Sequence, residues 1–299
     1  MQIQKPKLRY TKTFSLLTVA CGYVVSYAIS AFVLQSISGI SWHPLWKLFA
    51  ANLVGMFVLF LFARLSRNSS FFDAYWSVAP PLFLVYLIPL DAQPGWNFRQ
   101  ILVFSAVFIW AIRLTLNWSR HWGGFSVEDF RYIELKKGGG LKGFLVDFSA
   151  IHFFPALMVF AICLPLYPAV AEYSGDITVF DLLAFTVALC GVILETVADE
   201  QMHAFKRRIK KPSEFMRSGV WAYSRHPNYF GEWLFWVGVF LMGLSANPAY
   251  YWTGVGLVVL LSMFLGASIP MMEKRMIGKR PDYAAYQKKV SAFIPLPNR

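Results

Sequence analysis

Charge is scarce in this chain. Of 299 residues only 15% are Asp, Glu, Lys or Arg, against about a quarter in ordinary soluble domains. A solvated surface all round is therefore excluded. Cysteine is scarce too: Cys21, Cys163 and Cys190 stand alone in apolar runs with no CxxC pair. That pattern offers neither a disulfide framework nor a thiolate metal site. The five histidines, at 43, 121, 152, 203 and 226, are too scattered for a histidine-box metal centre. Glu200-x-x-His203 is half of a di-iron motif, but a di-iron site needs a second copy and further carboxylates. No bound metal is expected.

What the chain has in abundance is apolar sequence, 57% hydrophobic and 18% aromatic. It comes in unbroken runs of the length a bilayer span requires. These runs far exceed the roughly 10-residue alternating segments of a membrane barrel strand. With every backbone amide needing an internal partner in lipid, the expectation is an all-α, polytopic transmembrane helical bundle. Eight spans are predicted, at about residues 13–39, 43–63, 71–90, 100–119, 149–170, 177–198, 229–246 and 249–271. The first follows a short basic stretch, but its run is too long for a cleaved leader, so it reads as a signal anchor. No internal repeat is evident.

The net charge of +12 would suit nucleic acid, but its distribution excludes that partner. Alternate polar intervals hold 25 of the 28 basic residues. They run from Lys5, Lys7, Arg9 and Lys12, through Arg64 and Arg67, to the Arg120–Lys142, Lys206–Arg225 and Lys274–Arg299 intervals. The other intervals hold only Lys47 and Arg99, with Asp91, Glu172, Asp176 and Asp181. By the positive-inside rule both termini are cytoplasmic, in a prokaryotic inner membrane, and the basic charge serves orientation and contact with the lipid bilayer. Gly138-Gly139-Gly140 with its neighbouring lysines reads as a flexible cytoplasmic loop rather than a phosphate loop.

A polar residue inside a span is costly and so marks a functional position by default. Asp73 begins the third span in Phe72-Asp73-Ala74-Tyr75-Trp76. Arg113, Asn117 and Arg120 share one face of the fourth. Arg113 reads as lining a cavity, with a structural pairing to Asp73 as the plain alternative; Arg120 serves equally well as a residue snorkelling to headgroups. Glu195, Asp199 and His203 leave the sixth span on one stripe. This is either a pocket mouth or an ordinary polar helix end, and Asp199 sits at the expected boundary.

The densest local signal is Trp221-Ala222-Tyr223-Ser224-Arg225-His226-Pro227-Asn228-Tyr229-Phe230-Gly231-Glu232. Pro227 suits the first turn of a helix, where its missing N–H costs nothing. Arg225 and His226 then stand beside free helix N-terminal amides, an anion site in principle. Asn228 and Glu232 lie one turn apart on one face. The bland alternative is a capped helix start with a headgroup-binding arginine. After the last span come Glu273 and then Pro281-Asp282-Tyr283-Ala284-Ala285-Tyr286, whose tyrosines with Val290 suggest a short interfacial amphipathic helix.

The Trp221–Glu232 stretch resembles the signature of steroid 5-alpha-reductase-like membrane proteins. It is also similar to the Arg-His-Pro-Asn-Tyr element of sterol C14-reductases and the lamin B receptor. With Asp73-x-x-Trp76, Arg113 and Glu128-Asp129-Phe130-Arg131-Tyr132, the chain looks like a prokaryotic branch of that superfamily. The resemblance covers most of the chain and is strongest from about Asp199 to Pro295. It implies a membrane reductase using NADPH, with a hydrophobic substrate entering from the lipid. Carried across, it puts Asn228 and Glu232 at the nicotinamide end and Asp199 at the end of the preceding helix. Arg207 or Arg208 would meet phosphate, and Tyr223, Arg225 and His226 form the turn beside the cofactor. Met271-Met272-Glu273-Lys274-Arg275 stands where steroid reductases carry clustered histidines, so a steroid substrate is not implied.

The expected function is thus NADPH-dependent reduction of a conjugated carbon–carbon double bond in a lipid or isoprenoid-like molecule. Asp73 or Tyr75 is the candidate proton donor, since charge developing on a carbonyl oxygen needs a placed donor. On this reading one membrane domain holds spans forming a substrate cavity (13–198) and a cofactor module (199–299). The first competitor is an S-adenosylmethionine-dependent methyltransferase of a lipid or prenylated substrate. Such enzymes share an Arg-His-Pro-x-Tyr element and a tail like Glu273…Tyr283-x-x-Tyr286…Phe293-Ile294-Pro295. The second is a transporter or scaffold, which the apolar outer halves of the last two spans disfavour.

Overall fold

A computed structural model describes residues 11–91, 95–172, 177–209, 211, 213–280 and 282–297. Lys5, Lys7, Arg9, Asp176, Pro281 and Arg299, named above, lie outside the described residues, as does Lys210 within the Lys206–Arg225 interval. The described residues are helical, with no strand among them. Eight helices are long and apolar enough to cross a membrane: α1 (Lys12–Ser36), α2 (Pro44–Ser66), α3 (Ser69–Leu90), α4 (Phe98–His121), α5 (Gly140–Cys163), α6 (Val179–Arg208), α7 (Pro227–Ala246) and α8 (Pro248–Lys279). A short helix, α9 (Tyr283–Lys289), follows. The eight-span helical bundle expected from hydropathy is what the chain forms.

Several boundaries differ from the hydropathy reading, those of α5 and α6 for local reasons. Helix α5 starts at Gly140 rather than near 149, so the triple glycine is a helix entry rather than a free loop. Gly138, Gly139 and Gly140 all take positive φ (151°, 56° and 53°), a backbone that side chains resist, and turn the chain directly into the helix. At the other end Pro165 cannot donate to the helical ladder, and a separate helix, Leu166–Val170, begins after it. Helix α6 runs on through Asp199 to Arg208. Hydropathy marks where lipid contact stops, whereas Glu, Gln, Met, Lys and Arg are all good helix formers, so the helix outlasts its apolar part. Its last-turn Lys206, Arg207 and Arg208 also suit the negative end of the helix dipole.

The chain divides into two compact units. The first holds residues up to Tyr86 together with Leu114–Phe160. Here α1 meets α2 through small residues: Ser26 Oγ donates to the Gly55 carbonyl (2.8 Å) and Ser30 Oγ to that of Ala51 (3.0 Å). Such small-residue contacts are how helices approach closely in lipid, where no hydrophobic force drives them together. At the end of α2 and start of α3, Asn68-Ser69-Ser70 organises a polar layer. Asn68 Nδ2 donates to the carbonyls of Phe125 and Val127, and the Ser69 amide donates to Glu128 Oε1. Ser69 Oγ donates to Asp147 Oδ1 (2.7 Å), and Lys136 Nζ bonds both Ser69 Oγ and Glu128. Asp147 opens a π-helical stretch through Phe153 inside α5, and the buried His152 sits 2.8 Å by Nδ1 from the Asp147 carbonyl oxygen.

The second unit holds Leu87–Arg113 and the chain from Ala161 onward. Its centre is the α6–α7 crossing, which depends on glycine. A Cβ on Gly191 would lie 2.4 Å from the Phe235 amide nitrogen, one on Gly231 would lie 2.7 Å from that of Glu195, and one on Gly238 would lie 2.4 Å from that of Ala188. The start of α6 is fixed by Thr178 and Asp181, each bonding the other's backbone N–H in a capping box, a mutual satisfaction of otherwise orphaned donors. Asp181 also takes a 2.8 Å hydrogen bond from Arg99 of α4, both side chains fully buried. Removing one partner of such a pair leaves the other charge uncompensated, at a cost of about 3–5 kcal/mol. Asp181→Ala is therefore expected to lower the unfolding midpoint in detergent sharply. Asp181→Asn, which still accepts from Thr178, should lie between it and the parent. Equal midpoints for Asp181→Ala and the parent would remove the pair from the account of stability.

Candidate functional site

Three helices of the second unit bring ionisable groups to one place. Along α4, Trp110 and Arg113 are one turn apart; along α6, Glu195 and Asp199; along α7, Asn228, Glu232 and Trp236. Arg113 forms ion pairs with both Glu195 and Asp199, all three side chains largely buried. Glu232 is held on both oxygens: Trp110 Nε1 donates to Oε2 (2.8 Å) and Trp236 Nε1 to Oε1 (2.9 Å). Two acids thus share one guanidinium, largely out of water.

The glycines of the α6–α7 crossing permit this convergence. Gly231 packs against the Glu195 backbone, which brings α6 close at the residue before Glu232. Trp110 lies flat on Phe235 (ring centroids 4.8 Å apart, 6° between planes) and edge-on to Trp236 (5.0 Å, 74°). That packing fixes the direction of both indole N–H groups. Each oxygen of the Glu232 carboxylate retains a second lone pair, so the residue can still receive a ligand's donor. Among the described residues no hydrogen bond to the Asn228 amide is found, and this half-buried side chain stands one turn before Glu232.

A second set of contacts lies at the turn before α7 and does something different. Arg225 Nε and Nη2 grip Glu273 of α8 (2.6 and 3.2 Å), and Nη1 donates to the carbonyls of Gln287 (2.9 Å) and Val290 (2.5 Å). Glu273 also meets His226 Nε2 (3.2 Å) and accepts from Gln287 Nε2 (2.6 Å). Arg225, His226 and Glu273 therefore form one clamp that ties the chain after α8 to the start of α7. The tail continues this: the Arg225 amide donates to Ser291, Ser224 Oγ to Phe293, and the Leu296 amide to Tyr223. The Tyr286 phenol donates to the Trp221 carbonyl; burial pushes its pKa upward, so it remains a donor at any ordinary pH. Tyr283 is buried against Phe215. Tyr223 is half exposed, and Arg207 and Arg208 are exposed at the end of α6.

In the first unit, Asp73 Oδ1 accepts a 2.6 Å hydrogen bond from the Tyr132 phenol. Tyr132 lies in the interval between α4 and α5, and burial, with Asp73 beside it, raises its pKa well above the usual phenol range. It is therefore a permanent donor to Asp73. Tyr75 is fully buried, stacked on Phe72, with its hydroxyl bonded to Asn52 Oδ1.

The structure thus brings together Arg113, Asp199 and Glu232 as one cluster, and Arg225, His226 and Glu273 as another. The structural alternative of an Arg113–Asp73 pairing is replaced: Arg113 answers to Glu195 and Asp199, and Asp73 to Tyr132. Glu195 was legible as part of the α6 stripe but its direct partnership was not. Trp110, Trp236, Tyr132 and Gln287 were missed as site residues. Trp110 lies three residues before Arg113 on the same helix face, a spacing that would have found it.

No solved structure matches the chain. The uncharacterized protein C594.04c of Schizosaccharomyces pombe is 25% identical over 256 residues, covering 77% of this chain and 73% of that one. Residues 59–290, which include Arg113, Glu195, Asp199, Glu232, Arg225, His226 and Glu273, match the family described as Protein of unknown function (DUF1295). The chain belongs to that family.

Proposed function

We propose that this protein is an NADPH-dependent membrane reductase acting on a conjugated carbon–carbon double bond in a hydrophobic, lipid or isoprenoid-like substrate. The observation that carries the reading is the half-buried Glu232, aligned by two indoles, with Asn228 one turn before it. An acceptor and an amide on one helical face are the groups a carboxamide ring needs for recognition. The resemblance to steroid 5-alpha-reductase-like proteins would put those same two residues at the nicotinamide end.

The donor set fits the cofactor. Asn228 and Glu232 would hold the carboxamide, Asp199 and Arg113 would fix the depth of the pocket, and Arg207 or Arg208 at the open end of α6 would meet phosphate. When bound, NADPH supplies the hydride; the protein supplies orientation and electrostatics. Arg113 keeps the acids of the cluster from repelling one another, and Trp110 and Trp236 hold Glu232 in one rotamer. The tail clamp through Arg225 and Glu273 steadies the start of α7, and hence the position of Asn228. Of the two candidate proton donors, Tyr75 has its hydroxyl engaged by Asn52 and Asp73 accepts from Tyr132. The charge alternation along the chain supports an inner-membrane protein with both termini in the cytoplasm.

The Arg225-His226-Pro227 turn and its strapped tail also suit a methyltransferase using S-adenosylmethionine, and one assay separates the two. NADPH should raise the unfolding midpoint of the purified protein while S-adenosylmethionine leaves it unchanged. Asn228→Ala and Glu232→Ala should stay folded and lose the NADPH shift. Stabilisation by S-adenosylmethionine alone would replace the reductase reading with the methyltransferase one, and stabilisation by neither would favour a transporter or scaffold.

A further inference from the structure

A cavity of about 220 Å³ lies under the tail in the second unit. It is walled by Arg225, Gln287–Ala292, Leu296 and Pro297. Arg225 cannot serve as its ligand donor, because Glu273 and the carbonyls of Gln287 and Val290 already engage its guanidinium. It is a rigid back wall. The mobile charge is at the rim: Lys288 and Lys289 are both exposed, and neither forms an ion pair with a carboxylate among the described residues. Leu296 also lines the cavity, and Leu296 and Ile294, two residues before it, are about half exposed (45% and 52%).

The volume limits the occupant. Liquid water takes about 30 Å³ per molecule, and pockets for drug-sized ligands run from about 300 Å³ upward. A whole dinucleotide does not fit, but a phosphate ester with a few carbon atoms does. The cavity also lies just past the end of α8, where the chain leaves the apolar span. There two exposed lysines and the apolar Leu296 line one space of headgroup size. We propose that this cavity is a binding site for the headgroup of an anionic phospholipid, its phosphodiester between Lys288 and Lys289 and its acyl chains beside Leu296 and Ile294. The site is separate from the Glu232 cluster and does not depend on what that cluster binds.

The test is the thermal stability of the full-length protein in detergent, with added phosphatidylglycerol, phosphatidylcholine, inorganic phosphate or NADPH. Phosphatidylglycerol is expected to raise the midpoint by several degrees over phosphatidylcholine, and inorganic phosphate to have no effect. The Lys288→Gln/Lys289→Gln double variant should lose the phosphatidylglycerol shift. Lys137→Gln/Lys142→Gln, which removes equal charge in the first unit, should keep it. The proposal falls if the two lipids act alike, if both double variants lose the shift equally, or if inorganic phosphate stabilises as well as the lipid. A shift by NADPH that disappears in Lys288→Gln/Lys289→Gln would hand the cavity to the nucleotide and equally overturn it.

Discussion

Replacing Arg113 by methionine is expected to cost about 3–5 kcal/mol of stability, the penalty for stranding buried charge. The reason lies in Glu195 and Asp199, which share that guanidinium out of water. If charge rather than shape is responsible, neutralising the acids should undo the damage. The triple variant Arg113→Met/Glu195→Gln/Asp199→Asn should recover most of the midpoint lost by Arg113→Met, because well-packed neutral groups often replace buried ion pairs at little cost. It should not recover NADPH stabilisation, since Asp199 is part of the proposed pocket. A triple variant no more stable than Arg113→Met would show that the arginine acts by packing alone.

Gly231→Ala is the second large effect. Its added carbon would lie 2.7 Å from the Glu195 amide nitrogen and 2.8 Å from the Gly191 carbonyl oxygen. Backbone cannot swing aside as a side chain can, so α6 and α7 must separate. Overpacking typically costs about 1–3 kcal/mol, and here it also moves Glu195 away from Glu232. The midpoint and the NADPH shift should fall together. Gly266→Ala in α8 meets nothing within 4 Å and should change neither. If Gly231→Ala behaves like Gly266→Ala, the helices do not meet through that glycine as described.

The two substitutions show how far sequence carried. Asp199, Arg113 and Glu232 each stand out in the sequence because an ionisable group in an apolar helix is rare and costly. Their partnerships are not visible there: Arg113 and Asp199 are 86 residues apart, and Trp110 and Glu232 are 122 apart. Arg225 and Glu273 were legible as neighbours of a helix start and a helix end. Only folding joined them, and it turned a suggested anion site into an internal clamp.

By itself the sequence determined the all-helical fold, the number of spans and the first residue of α7. Those follow from local physics: the length of apolar runs, the demand of lipid that amides bond within one helix, and the fixed φ of proline. Helix ends beyond the apolar runs, as in α5 and α6, escaped it because hydropathy reports lipid contact rather than helix propensity. Tertiary structure alone decided which charges met. That depends on where three helices cross, and in the second unit glycines, whose side chain is a single hydrogen atom, set the α6–α7 crossing.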